Sequence, residues 1–143
     1  MGKVNDILKT KGGTTFSITP DTIVYEALEI MVGKNVSALV VLENEKLVGI
    51  FTERDYARKV ILKGKTSKET RIAEIMTEDL ITVSPDSTID SCMRLMTSRF
   101  IRHLPVVADD RLVGIISIGD VVKYIIEEQK FIIENMEHYI TRG

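Results

Sequence analysis

Apolar and polar positions follow an order along this chain that is written twice. In residues 17–61, Ile23, Ala27, Leu28 and Met31 recur at helical spacing. Two compact apolar runs then follow, 38–42 and 47–51, separated by the polar turn Glu43-Asn44-Glu45. Residues 82–126 repeat these signals. Ile89, Cys92, Met93 and Met96 recur at helical spacing, and runs 104–107 and 112–116 flank Ala108-Asp109-Asp110. Recurrence every three or four residues predicts a helix with one apolar face, and two short runs around a polar turn predict a β-hairpin. Short strands are expected at 16–19 and 81–84. Each leads into a Pro-Asp pair, Pro20-Asp21 or Pro85-Asp86, whose fixed φ and capping carboxylate suit a helix start. A second helix is expected from near Thr52 or Ser117. Each copy therefore reads β-α-β-β-α.

The two stretches align without a gap at a shift of 65 positions: Leu47-Val48-Gly49-Ile50 falls on Leu112-Val113-Gly114-Ile115, and Asp55 on Asp120. Their lead-ins, KVNDIL at 3–8 and RIAEIM at 71–76, match at a shift of 68, so the first copy carries three more residues in its KTKGGTT loop. A repeat of this kind marks duplication. The last helix continues past Asp120 with Val122, Ile125, Ile126, Ile132, Ile133, Met136 and Ile140, more apolar surface than one narrow seam needs. Packing on a second copy of the chain and packing on its own module both fit.

Length sets the next limit. In 143 residues, two independent halves would each bury too little surface to be stable, so one shared core is expected, with copy one in 1–66 and copy two in 67–143. The fold class is α+β. The formal net charge of −2 argues against a nucleic-acid partner. Cys92 is the single cysteine, which excludes an internal disulfide and a Cys-rich metal site; its helical setting beside Met93 and Met96 suits a buried small hydrophobe. There is no charged-then-apolar leader, and no apolar run approaches the ~20 residues that span a bilayer. The expectation is a cytoplasmic protein without a membrane partner.

Two places carry candidate chemistry. In Gly49-Ile-Phe-Thr52-Glu-Arg-Asp55 and Gly114-Ile-Ile-Ser117-Ile-Gly-Asp120, a hydroxyl sits three residues before a carboxylate where a strand hands over to a helix. A capping arrangement explains that spacing. So does a ligand site, since helix-end amides suit a phosphate and an ionised Asp can accept both hydroxyls of a ribose diol. The two accounts are compatible. The second place is Arg102-His103 at the mouth of an apolar strand, where copy one has Ser37-Ala38. Cationic groups there call for an anion or a surface salt bridge. Gly64-Lys65-Thr66 lacks the first glycine and the preceding strand of a phosphate loop, two distant histidines make no metal cluster, and no nucleophile elbow is present. No catalytic set emerges.

The doubled pattern closed by GIFTERD and GIISIGD resembles tandem CBS domains, the Bateman module. The stretches DILKTKG, SALVVL, TERDYARKV, EIMT, IRHLPVV and ISIGDVV are similar to small stand-alone CBS proteins of bacteria and plant organelles. The resemblance implies two motifs packed about a pseudo-twofold axis, a homodimer, and two clefts that hold AMP, ADP, ATP, NAD or S-adenosylmethionine as regulatory ligand, with no catalytic cofactor. Carried over, the first cleft uses Thr52, Arg54 and Asp55 with Ile81, Arg102 and His103. The second uses Ser117 and Asp120 with Phe16, Ser37, Ala38 and either Lys11 or Thr14. Phe100 departs from the polar or basic residue that relatives often place there. The implied function is a regulatory adenine-nucleotide sensor; the alternative is a protein–protein scaffold with empty clefts.

Overall fold

A computed structural model describes residues 2–12 and 15–142, with side chains through residue 140; Thr14 lies outside them. The first copy runs α1 (Val4–Lys11), β1 (Ser17–Ile18), α2 (Val24–Lys34), β2 (Ala38–Glu43) and β3 (Lys46–Thr52). A short helix α3 (Glu53–Asp55) then passes into a π-helical turn, Tyr56–Val60, and a 3-10 turn, Ile61–Lys63. The second copy comprises α4 (Ile72–Ile75), α5 (Ile89–Arg99), β4 (His103–Ala108), β5 (Arg111–Ser117) and α6 (Ile118–Arg142).

The hairpins form where expected. Their turn residues Asn44 and Glu45, and Asp109 and Asp110, all have positive φ, as a two-residue turn matched to strand twist requires. β1 pairs parallel with β2, which pairs antiparallel with β3. In copy two the strand expected at 81–84 is reduced to a single parallel bridge, Val83 to Val106, beside the β4–β5 pair.

The helix starts also differ from expectation. Pro20-Asp21 and Pro85-Asp86 lie in turns, and α2 and α5 begin at Val24 and Ile89. The Thr22 and Ser87 hydroxyls accept the amides of Thr19 and Ser84 (3.1 and 3.0 Å), which closes a turn before the helix can start. Thr88 then caps α5 by accepting the Ser91 amide at 3.0 Å.

The lead-ins are exchanged between the copies. Lys3 bridges to Thr88 and Ile23 to Arg71; the Ile89 amide donates to the Gly2 carbonyl and the Val24 amide to the Thr70 carbonyl, each at 2.9 Å. Val4 and Ile7 of α1 consequently join the core of copy two, with Val83, Ile89, Cys92, Met96, Leu104 and Ile116. Ile72 and Ile75 of α4 join the core of copy one, with Ile18, Val24, Leu39 and Phe51. Each crossing helix runs against the glycine of the other copy's LVGI run. A Cβ at Gly114 would lie 2.7 Å from Leu8 Cδ2, and one at Gly49 would lie 2.7 Å from Met76 Sδ. Close approach of a neighbouring chain accounts for both glycines.

Candidate functional site

The exchange brings the end of one copy's lead-in to the acid of the other. Asp55 is 6% exposed and fully engaged. Its Oδ2 accepts the Thr52 amide (3.0 Å) and hydroxyl (3.2 Å), while Oδ1 accepts the Thr77 hydroxyl (2.9 Å) and pairs with the Lys59 ammonium (3.1 Å). Thr52 in turn accepts the Asp55 amide at 3.2 Å, which completes a reciprocal cap. Lys59 lies one turn after Asp55 and also reaches the Ile75 carbonyl at 3.2 Å.

Around this carboxylate opens a cleft of about 550 Å³, lined by both copies: Ile50, Thr52, Glu53, Arg54, Asp55, Arg58 and Lys59 from one, and Thr77, Ile101, Arg102 and His103 from the other, with Ser37 between them. Of the residues expected here, Thr52, Arg54, Asp55, Arg102 and His103 are brought together. Ile81 is half-buried against the core of copy two and is not part of this lining. Arg58, Lys59 and Thr77 are additional. Arg58 and Lys59 follow Asp55 by three and four residues, so helical periodicity from the acid points to them, whereas Thr77 arrives only through the lead-in exchange.

Four cations (Arg54, Arg58, Lys59, Arg102) and two carboxylates (Glu53, Asp55) line the cleft. His103 adds no charge. Burial, then the nearby Lys11 ammonium, lowers its pKa to about 4, Arg102 adds to the lowering, and Asp120 opposes it. Instead His103 Nε2 and the Ser37 hydroxyl share a hydrogen bond of 2.8 Å between the copies. Arg54 donates to the Phe100 carbonyl at 2.6 Å. Phe100 ends α5 in the left-handed region (φ 55°) with its side chain 75% exposed, so its backbone rather than its ring serves the cleft.

Two amides at each helix start are already occupied. The Glu53 amide donates to the Ser37 carbonyl (3.2 Å) and the Ile118 amide to the Arg102 carbonyl (2.9 Å), while the Asp55 and Asp120 amides go to the hydroxyls of Thr52 and Ser117.

The second acid has the same cap but different company. Asp120 Oδ2 accepts the Ser117 amide (2.8 Å) and the Lys11 ammonium (2.7 Å), and Lys11 also donates to the Ile115 carbonyl (2.8 Å). Burial alone would raise the Asp120 pKa; Lys11 together with the amide and hydroxyl of Ser117 outweighs it and holds the carboxyl below its ordinary value. Of the other residues expected at this cleft, Phe16 packs against the core of copy one, with the Lys34 ammonium 5.3 Å from its ring centre. Ala38 is buried at the start of β2 opposite Thr52. Ser37 lines the first cleft instead.

A doubled β-α-β-β-α unit with exchanged lead-ins and a polar cleft between copies defines a class of two-motif binding module. The family profile of the CBS domain matches residues 5–62 and 72–127, and the chain belongs to the CBS-domain family. It is 42% identical over 149 residues to the CBS domain-containing protein CBSX3, mitochondrial, of Arabidopsis thaliana, covering 98% of this chain and 72% of that one. Among solved structures, a protein with CBS domains from Burkholderia ambifaria superposes with a TM-score of 0.86 at 45% identity, covering 90% of this chain and 96% of that one. The CBS domain pair of protein MJ0100, in complex with 5′-methylthioadenosine and S-adenosyl-L-methionine, superposes with a TM-score of 0.78 at 29% identity over 90% of this chain and 98% of that one. Among the described residues no helix is long and apolar enough to cross a membrane.

Proposed function

We propose that this chain is a regulatory sensor of phosphorylated adenine nucleotides (AMP, ADP, ATP or NAD), held in the cleft at Asp55 and without a catalytic step. The observation that carries this reading is the pairing of a buried Thr52–Asp55 cap with four side-chain cations in one cleft of nucleotide size. The adenosine ligands of the MJ0100 pair support it. Asp55 Oδ1 is the acceptor for the ribose diol. Its present donors include Lys59, whose side chain is 42% exposed and turns to a phosphate when the diol takes its place on the carboxylate. Arg102 takes the phosphate through charge-assisted bonds. A cytoplasmic setting is part of this reading.

Calorimetric titration tests it. Arg102→Gln should weaken AMP binding about tenfold or more, the worth of a charge-assisted hydrogen bond, and leave adenosine binding nearly unchanged. Equal losses for both ligands would remove the phosphate assignment. A nucleotide at a hundredfold excess over its Kd should stabilise the fold by about 2.7 kcal/mol. A melt unmoved by AMP, ADP, ATP, NAD and S-adenosylmethionine would leave the scaffold reading in its place.

A further inference from the structure

The space around Asp55 does not end at Ser37. A second hollow of about 390 Å³ begins there, between the end of α2 and the start of α3. Leu28, Met31 and Val36 wall it, and Asn35, Ser37 and Glu53 edge it. Ser37 and Glu53 line both spaces, and the Glu53 amide donates to the Ser37 carbonyl at 3.2 Å, so this pair forms a sill that the two share. Each space alone has the volume of a small-molecule site, about 300–1,000 Å³.

The repeat separates what the fold needs from what this hollow adds. At the shift of 65, Leu28, Met31 and Val36 fall on Met93, Met96 and Ile101, so the apolar wall is common to both copies. Asn35, Ser37 and Glu53 fall on Phe100, Arg102 and Ile118, so the polar edge belongs to copy one alone. Asn35 ends α2 in the left-handed region, but Phe100 does the same after α5, so that conformation does not require the amide. The edge offers a carboxylate, which only accepts, and a primary amide, which donates and accepts side by side. A vicinal diol suits the first, the polar edge of a base suits the second, and the apolar wall suits the face of its ring. Among the described residues the hollow's lining has no cation, so it is fitted to a nucleoside without its phosphate. Across the sill, the four cations of the first cleft outnumber its carboxylates by two, a balance equal and opposite to a diphosphate bridge.

We propose that the hollow beside Ser37 is a subsite for the second nucleoside of a dinucleotide, two nucleosides joined through a diphosphate. Glu53 accepts the second ribose diol and Asn35 meets the second base. With Asp55 as acceptor of the first ribose, on which this subsite depends, the cleft favours dinucleotides over AMP, ADP and ATP.

Calorimetric titration of the full chain with AMP, ADP, ADP-ribose, NAD and diadenosine diphosphate tests the subsite. NAD or diadenosine diphosphate should bind about tenfold or more tighter than ADP, the worth of a hydrogen bond to a charged group, and the tighter of the two identifies the second base. Glu53→Gln should cut the ratio of that dinucleotide's affinity to that of ADP by about the same factor. Asn35→Asp, which keeps a residue suited to the left-handed region, should lower the ratio of its affinity to that of ADP-ribose, which lacks the second base. Both side chains are exposed, so neither change threatens the fold. ADP binding as tightly as either dinucleotide would overturn the proposal, and so would a ratio that stays put under either substitution; the sensor reading survives both results. A chain that binds none of the five loses that reading and this subsite together.

Discussion

The crossing of the lead-ins can be read out by the chain's own thiol. Cys92 is wholly buried in the core of copy two, and burial raises its pKa, so in the closed state it is inert to thiol reagents. α1 covers this region: Ile7 is 5% exposed in the same cluster, and the Gly2 carbonyl accepts the Ile89 amide one turn before Cys92. Ile7→Ala removes three buried carbons and leaves a cavity, a loss of about 3 kcal/mol from the docking of α1. At 1.4 kcal/mol per decade, the opening that uncovers Cys92 becomes about a hundredfold more populated. Labelling with a chromogenic disulfide, under conditions where closing outruns labelling, should accelerate by that factor. Ile75→Ala makes the equivalent change in α4, which closes the other core, and should accelerate labelling much less. If Ile75→Ala accelerates it as much as or more than Ile7→Ala, the assignment of α1 to the Cys92 core is wrong, because the route to the thiol would not run through α1.

Two further predictions concern the cleft. Phe100 holds a left-handed conformation that costs a bulky residue about 1 kcal/mol, with little packing to compensate; Asn35 occupies the matching position after α2 at φ 54°. Phe100→Asn should therefore raise stability by about 0.5–1 kcal/mol in a urea melt, and no gain would show that the ring contributes more than its exposure implies. His103 titrates near 4 when folded against an ordinary 6.5, so the unfolded chain takes up its proton first as pH falls. Its contribution is present above pH 6.5, is lost between 6.5 and 4, and is flat below; His103→Gln should flatten the fall of the urea midpoint between pH 7 and pH 5.

Much of this architecture is legible in the amino-acid sequence because duplication exposes it. Two occurrences of the same helical and hairpin periods fix the order of elements, and the Thr52–Asp55 and Ser117–Asp120 spacings mark the caps. Three things were not legible, each for a physical reason. Pro20-Asp21 reads as a helix start because proline and aspartate suit that position in general, yet the Thr22 hydroxyl two residues on closes a turn that postpones the helix to Val24. Thr77 lies 22 residues from Asp55 in a lead-in of unknown destination, and only the exchange between copies brings it to that carboxylate. The charge state of His103 depends on burial and on Lys11, 92 positions away, and on neither does local sequence bear. Lys11 itself, one of two alternatives at the second acid, is the side chain that meets Asp120.

The traded lead-ins also decide what can be cut from this chain. Severed between residues 66 and 67, either half would retain the short helix that belongs to its counterpart and lack the one that closes its own interior. Such a fragment has one route to a sealed interior, which is to lend its helix to another fragment and borrow one in return. Single motifs would then meet as reciprocal pairs, and the gene that joins two of them makes permanent, in one polypeptide, an association that separate pieces would have to find by collision.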